Sequence, residues 1–324
     1  MSTGVNPNTI VYFENRFVPL REAQVSILTH ALHYGTGVFE GIRGYWSERE
    51  EELYLVRPLE HYIRWQSNCR LLYIHLPLTP AELTELTTEL MQRNGFRTDV
   101  YVRPLAYKSA QRIGVHPDDQ NNFALIALPF GDQLDSQRGL HAGVVSWRRI
   151  EDNAIPARTK ICGAYVNSAL AGDEAHRNGF DEAIILNEDG HVAEGVGANI
   201  FLVRKGKLIT PSVTENILEG ITRASVIELA QTELRLEVAE RPMDRSELYL
   251  AEEAFFTGST TEIAPIVRVD HRPVGNGRIG PIAVALKQLY QDATRGRLPA
   301  YRKWLVPAYQ PQAKTHPRQQ ANSA

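Results

Sequence analysis

The sequence predicts an α+β chain of two domains, with strands and helices mixed in each. Three observations carry this prediction. Short β-rich apolar runs bounded by turn residues recur through both halves, helical runs open on identifiable capping signals, and a polar, turn-rich segment at 131–139 separates the halves as a linker.

The first nine residues are small and polar and are expected to be frayed. Val11–Phe13 and Phe17–Val18 flank a Glu14–Asn15 turn, which is a hairpin signal. The apolar runs 37–45 and 53–57, split by the charged loop 47–52, read as paired strands. Pro58 at a first helical position opens a helix through about Tyr73. Thr79-Pro80-Ala81-Glu82 supplies a capping box for the next, whose Leu83, Leu86 and Leu90 share one face and which stops at Asn94-Gly95. Runs 99–107 and 123–130 are again β-rich, so a smaller α/β domain is expected over 10–130.

Beyond the linker, a strand is expected at 141–147 and a helix from Ala164 to about His176, closed by Gly179. Asp189-Gly190 joins strands 183–186 and 191–194, and Lys205-Gly206 joins 199–204 and 207–210. A helix opens at Ile221 and continues through Val226, Leu229, Ala230 and Glu233-Leu234, while Asp244-Arg245-Ser246-Glu247 is expected to cap a short one. The larger domain is thus expected over 140–307. Residues 308–324 are rich in Gln, Pro and Ala without an apolar period, a composition that predicts a disordered tail.

At 324 residues and 43% hydrophobic, the chain can bury one large core or two moderate ones. A net charge of −3 gives no electrostatic reason to expect nucleic acid or an anionic membrane as partner, so a small-molecule substrate fits better. The lack of a long apolar run and of a signal-like start predicts a cytoplasmic protein. Cys69 and Cys162 form no CxxC pair and are expected to be free thiols. There is no GxGxxG after a strand, no GxxxxGK(S/T), no GxSxG and no HExxH, and the histidines show no metal-ligand spacing. Dehydrogenase, P-loop, serine-hydrolase and zinc-protease readings lose support, and Gly195-Val196-Gly197 reads as a tight turn.

What remains is a dispersed constellation. Lys160 lies in RTKICGAYVNSALAG, where a strand-like end runs into a helix. Gly220-Ile221-Thr222 at a helix start offers backbone N–H groups, a hydroxyl and the positive end of the helix dipole, which together suit an anion. Two-residue periodicity puts Tyr101 and Arg103 on one face of a strand, a hydroxyl beside a guanidinium.

Five blocks, HYGTGVFEGIR (33–43), YVRP (101–104), TK (159–160), EGVGANIFLV (194–203) and EGITR (219–223), resemble the branched-chain amino-acid aminotransferases in order and spacing. The resemblance runs from about Ile10 to Trp304. It implies the two-domain, D-amino-acid-aminotransferase-like fold-type IV, with pyridoxal 5'-phosphate as cofactor and transfer of the amino group of leucine, isoleucine or valine to 2-oxoglutarate.

Residue by residue, the resemblance implies that Lys160 is the Schiff-base lysine and also the proton shuttle. Glu194 would face the pyridine nitrogen and sustain the electron sink. Arg64, Thr222 and Ser259 would hold the phosphate, with Leu218 and Ile221 against the cofactor and Tyr165 at its phenolic oxygen. Tyr101 and the backbone amides of Thr260 and Thr261 would take the substrate α-carboxylate. Arg103, with Tyr34 reaching over from a partner subunit, would take the distal carboxylate, which implies at least a homodimer. Phe39, Phe130 and Val115 would supply apolar walls.

Two positions depart from enteric-type relatives: Phe130 stands where those often carry tryptophan, and Gln133 where a tyrosine would help hold the distal carboxylate. A wider pocket that accepts aromatic side chains follows as an expectation. D-amino-acid aminotransferases and aminodeoxychorismate lyases share the implied fold. The former typically carry an Arg-x-His pair where this chain has Tyr101-Val102-Arg103, and the latter lack that element. A scaffold that binds the cofactor without catalysis is the third alternative, against which intact Lys160, Glu194, Arg64 and Thr222 argue.

Overall fold

The structure, a computed structural model, describes residues 5–131 and 138–309. Gln133 lies outside the described residues, as do the first four and the last fifteen. The amino-terminal half runs β1 (Ile10–Phe13), β2 (Arg16–Pro19), α1 (His30–Tyr34), β3 (Gly37–Phe39), β4 (Ile42–Ser47), β5 (Glu52–Val56), α2 (Pro58–Leu71), α3 (Pro80–Asn94), β6 (Val100–Lys108) and β7 (Asn121–Pro129). The second half runs β8 (Leu140–Arg148), α4 (Tyr165–Arg177), β9 (Glu182–Leu186), β10 (Val192–Gly195), β11 (Asn199–Arg204), β12 (Lys207–Thr210), α5 (Ile221–Thr232) and β13 (Val238–Glu240). It closes with α6 (Glu247–Leu250), β14 (Glu253–Gly258), β15 (Glu262–Val269), β16 (Arg272–Pro273), α7 (Pro281–Thr294) and β17 (Leu305–Pro307).

These strands form two sheets. One is ordered β17-β5-β4-β6-β7-β1-β2, with β3 also on β6, and its described pairs are antiparallel. The other is ordered β10-β9-β8-β15-β14-β11-β12-β13 and is mixed, with β8 parallel to both β9 and β15. In the first sheet Glu14 and Asn15 take positive φ in the β1–β2 turn, as a two-residue hairpin connection demands.

Helices α2 and α3 cover one face of that sheet, where Tyr62, Trp65, Leu83 and Leu90 pack on Val100, Val102 and Leu125. The capping box forms: Thr79 Oγ1 accepts from the Glu82 N–H at 3.3 Å, and Glu82 accepts from the Thr79 N–H at 2.7 Å. Gly95, at φ 62°, ends the helix. Because Val100 and Val102 point into this core, the strand alternation turns Tyr101 and Arg103 to the opposite face. That face looks toward the second sheet.

The joint between the layers is apolar. Tyr45, Tyr54 and Val56 of the first sheet share one core with Phe201 and Phe255 of the second, Leu229 of α5 and Leu286 of α7. Two main-chain contacts pin the active side of this joint. The Phe39 N–H donates to the Lys160 carbonyl at 3.0 Å, and Gly163 N–H to the Gly35 carbonyl at 3.1 Å. A Cβ on Gly35, itself at φ +65°, would stand 2.6 Å from Gly163 Cα, so the approach depends on glycine.

Three expectations need correction. The composition puts the start of the tail at 308 and the end of the larger domain at 307, and of that tail only 308 and 309 are among the described residues. Instead β17 pairs with β5 of the first sheet, the Ala308 N–H reaches the Leu53 carbonyl at 3.0 Å, and the Tyr309 hydroxyl reaches the Phe96 carbonyl at 2.6 Å. The buried Glu52 carboxylate, which accepts from Ala308 and Tyr309 N–H groups, explains why these residues stay put. At the other end Thr9 is buried, with its N–H on the Asn6 carbonyl, so the expected fraying does not reach it. The capping box expected at 244–247 forms only in half: the Glu247 carboxylate accepts from the Asp244 N–H at 3.4 Å while also holding Arg204 and Arg241, but the helix starts later, with Ser246 as an N-cap that makes no side-chain bond. No described helix is long and apolar enough to cross a membrane.

Candidate functional site

The cleft between the layers is lined by Arg64, Tyr101, Lys160, Tyr165, Glu194, Leu218, Ile221, Thr222, Ser259 and Thr260 among others. Ten residues singled out in the sequence are therefore brought together. Lys160 ends the extended segment held by β3, and its Nζ donates to the Tyr165 hydroxyl at 2.9 Å. Tyr165 opens α4, and its ring meets Phe39 edge-on at 4.5 Å between centroids.

At one end of the cleft sits Glu194, on β10 and buried. Its Oε1 pairs with Arg149 at 2.8 Å. Its Oε2 accepts from Asn199 Nδ2 at 3.0 Å and from the Leu218 N–H at 3.1 Å. Burial pushes its carboxyl above the usual carboxylate range, against the opposing pull of Arg149, the Leu218 amide and Lys160. Such a carboxylate is poised to share a proton with a basic nitrogen.

Another end of the lining carries the helix start expected to suit an anion. Gly220 is the N-cap of α5 and makes no side-chain cap bond, while Ile221 and Thr222 form its first turn. A Cβ on Gly220 would lie 2.1 Å from Asn199 Oδ1, so glycine is required for the close approach. Arg64 closes this end, donating from Nη1 to the Glu219 carbonyl at 2.7 Å. Ser259 and Thr260 sit in the turn between β14 and β15, and the Thr257 hydroxyl beneath it is buried without a partner.

On the third side, Arg103 Nη2 donates to the Tyr101 hydroxyl at 2.9 Å, and its guanidinium lies 4.4 Å over the Phe39 ring. Its Nε is buried and unpartnered. Phe130 packs on Tyr101 at 5.1 Å. Phe39, Arg103, Phe130 and Thr261 thus lie beside the cleft lining and not within it.

Tyr34 and Val115 are not brought to this cleft. Tyr34 lies on the outer surface, where its hydroxyl accepts from the Gly114 N–H at 3.0 Å, and Val115 is 65% exposed nearby in sequence. Sequence reasoning missed Glu40, His61, Arg149 and Asn199. Glu40 and Asn199 stood inside the motif blocks, whereas Arg149 and His61 carried no signal that spacing could supply.

Fold and cleft together place this chain in a known class. The sequence model of amino-transferase class IV matches residues 37–269, and the chain belongs to that family. Among its relatives is a protein of Aquifex aeolicus named "Probable branched-chain-amino-acid aminotransferase", 50% identical over 92% of this chain and 96% of the relative. Solved structures agree. The branched-chain aminotransferase of Thermoproteus uzoniensis with norvaline superposes with a TM-score of 0.89 at 41% identity, covering 93% of this chain and 99% of that one. That of Thermobaculum terrenum in its PLP form gives 0.90 at 40% identity, covering 94% and 100%.

Proposed function

We propose that this chain is a pyridoxal-phosphate-dependent branched-chain amino-acid aminotransferase that moves the amino group of leucine, isoleucine or valine to 2-oxoglutarate. The observation that carries it is the cleft that brings together Lys160, a buried acid and the α5 start, which we read as an anion cradle, with Tyr101 in its lining and Arg103 bonded to that tyrosine. The donor set fits the cofactor: an amine for its aldehyde, Tyr165 for its phenolic oxygen, Glu194 for its ring nitrogen, and Arg64, Thr222, Ser259 and the α5 amides for its phosphate. Leu218 and Ile221 supply flat contact. Gly197 leaves room, since a Cβ there would meet nothing within 4 Å.

The cofactor, when bound, supplies the electron sink that lets a Cα–H bond break at neutral pH. The protein's own part is positional and protonic. Lys160 Nζ takes the proton from the substrate Cα, and its bond to Tyr165 fixes the direction from which it does so. Tyr101 and the amides of Thr260 and Thr261 orient the α-carboxylate. Arg103 answers the distal carboxylate of glutamate, while Phe39 and Phe130 make the wall against which a branched side chain packs. The relatives named above favour this reading over D-amino-acid transfer, lyase chemistry or non-catalytic binding.

The surface position of Tyr34 supports a homodimer in which each copy completes the other's cleft with Tyr34 and Val115. A cytoplasmic location accords with this role. The test is a half-reaction titration, following cofactor absorbance against L- and D-amino acids. Conversion by L-leucine, L-isoleucine and L-valine is expected, and Lys160→Ala is expected to lose the visible band. Conversion by D-alanine alone, or a band that survives Lys160→Ala, would overturn the proposal.

A further inference from the structure

We propose that Glu40 and His61 are positioning residues that aim Arg64 at the anion cradle, an inference that rests on the assignment of Arg64 to the cofactor phosphate. Glu40 directly follows β3, the strand that holds the Lys160 carbonyl, and its own N–H is fixed on the Pro104 carbonyl at 2.9 Å. The side chain is fully buried. Both oxygens are committed: Oε1 accepts from Arg64 Nε at 2.7 Å, and Oε2 accepts from Arg64 Nη2 at 2.9 Å and from the Gly41 N–H at 3.0 Å. His61 Nδ1 completes the set at 2.8 Å from Oε2.

This fork takes one edge of the guanidinium, and the Glu219 carbonyl takes Nη1. Arg64 therefore spans from α2 to the residue before the α5 N-cap. Its remaining N–H groups have one direction left, into the cleft it lines.

Charge separates this role from simple neutralisation. Burial would raise the Glu40 carboxyl, but Arg64 and His61 hold it far below the usual range, so it is ionised. Burial holds the His61 imidazole below its ordinary value despite Glu40, so at neutral pH it is an uncharged donor. The trio carries no net charge. What Arg64 offers a phosphate is then the direction of its donors more than an uncompensated cation. If Glu40 were only a counter-ion, removing its charge would leave the cradle more positive and tighten an anion.

The full chain in cofactor-free form, titrated with inorganic phosphate, decides between these, together with the rate of cofactor loss from the loaded enzyme. Glu40→Gln is expected to weaken phosphate about ten-fold despite the gained positive charge, and to speed cofactor loss similarly. Combined with Arg64→Lys it is expected to add nothing to the single lysine variant, because Glu40 acts through Arg64. Should Glu40→Gln fail to fold, His61→Leu is expected to weaken phosphate, and His61→Asn, whose amide can replace the Nδ1–H donor, to restore it. Unchanged or tighter phosphate in Glu40→Gln or His61→Leu, or additive effects with Arg64→Lys, would overturn the inference alone. A wild-type chain that takes up no pyridoxal phosphate would overturn it together with the reading it rests on.

Discussion

Arg149 and Glu194 form an ion pair at 2.8 Å with both side chains only 6% exposed, in the floor of the cleft. An ion pair so buried is destabilising to break, because the surviving charge has no water to fall back on. Arg149→Leu is expected to cost about 3–5 kcal/mol. Its pH dependence has a definite sign. Burial raises the folded Glu194 carboxyl, so its contribution favours the fold at low pH and is lost as pH rises through that raised value. Without Arg149 the carboxyl rises further, so the loss extends to higher pH and grows. Melting of the cofactor-free variant should therefore fall further behind wild type at about pH 8 than at about pH 5. A gap independent of pH would contradict this.

Gly41 offers a cleaner probe of substrate binding. A Cβ there would fall 2.0 Å from the Tyr101 hydroxyl, while Tyr101 is itself tied to Arg103. Gly41→Ala must push the tyrosine aside, and misplaced positioning groups reduce rates by about a hundred-fold. The expected result is a fall of that order in kcat/KM for branched-chain substrates with the cofactor absorbance intact. Steady-state kinetics beside a spectrum would check it.

Much of this site was legible because its chemistry is local in the chain. Thr79 and Glu82 declare a helix start through contacts three residues apart, and Tyr101 and Arg103 share a face by strand periodicity alone. Lys160, Glu194 and Thr222 were legible through their motif blocks. Arg149 was not, because it matters only where β8 ends beneath β10, a juxtaposition made by parallel pairing across β9. The end of the chain misled for a related reason. Ala308 and Tyr309 have no pattern of their own, and they are held by groups distant in sequence, the buried Glu52 carboxylate and the Leu53 and Phe96 carbonyls.

Glu247 governs acid stability at the far side of the second sheet. It accepts from Arg241 through both oxygens and from Arg204, and Arg241 foremost draws its carboxyl down to about 2. A depressed carboxyl stabilises the fold above its unfolded value and loses that contribution as pH falls through the folded one. Glu247→Gln should therefore melt below wild type at neutral pH, and the two curves should converge between pH 4.5 and about 2. A gap that persists at the acid end would assign the loss to packing.

The surface around Tyr34 predicts assembly. Ile27, Leu32, Ile113 and Val115 are 79%, 63%, 77% and 65% exposed, an apolar patch unusual for a free surface. Tyr34 is bonded to Gly114 and does not line the cleft of its own chain, so in the proposed homodimer it would serve the cleft of the second copy. Leu32→Glu with Ile113→Glu should yield monomers by analytical ultracentrifugation, with activity largely lost. Complementation is the sharper measurement. Lys160→Ala lacks the reactive amine but keeps Tyr34, and Tyr34→Ala keeps the amine but lacks the reaching hydroxyl. Mixed one to one and allowed to exchange subunits, about half the dimers are hybrids with one intact site each, so about a quarter of sites should turn over L-glutamate normally. Recovery above the sum of the separate variants places Tyr34 across the interface, and its absence after verified exchange would remove it from the site.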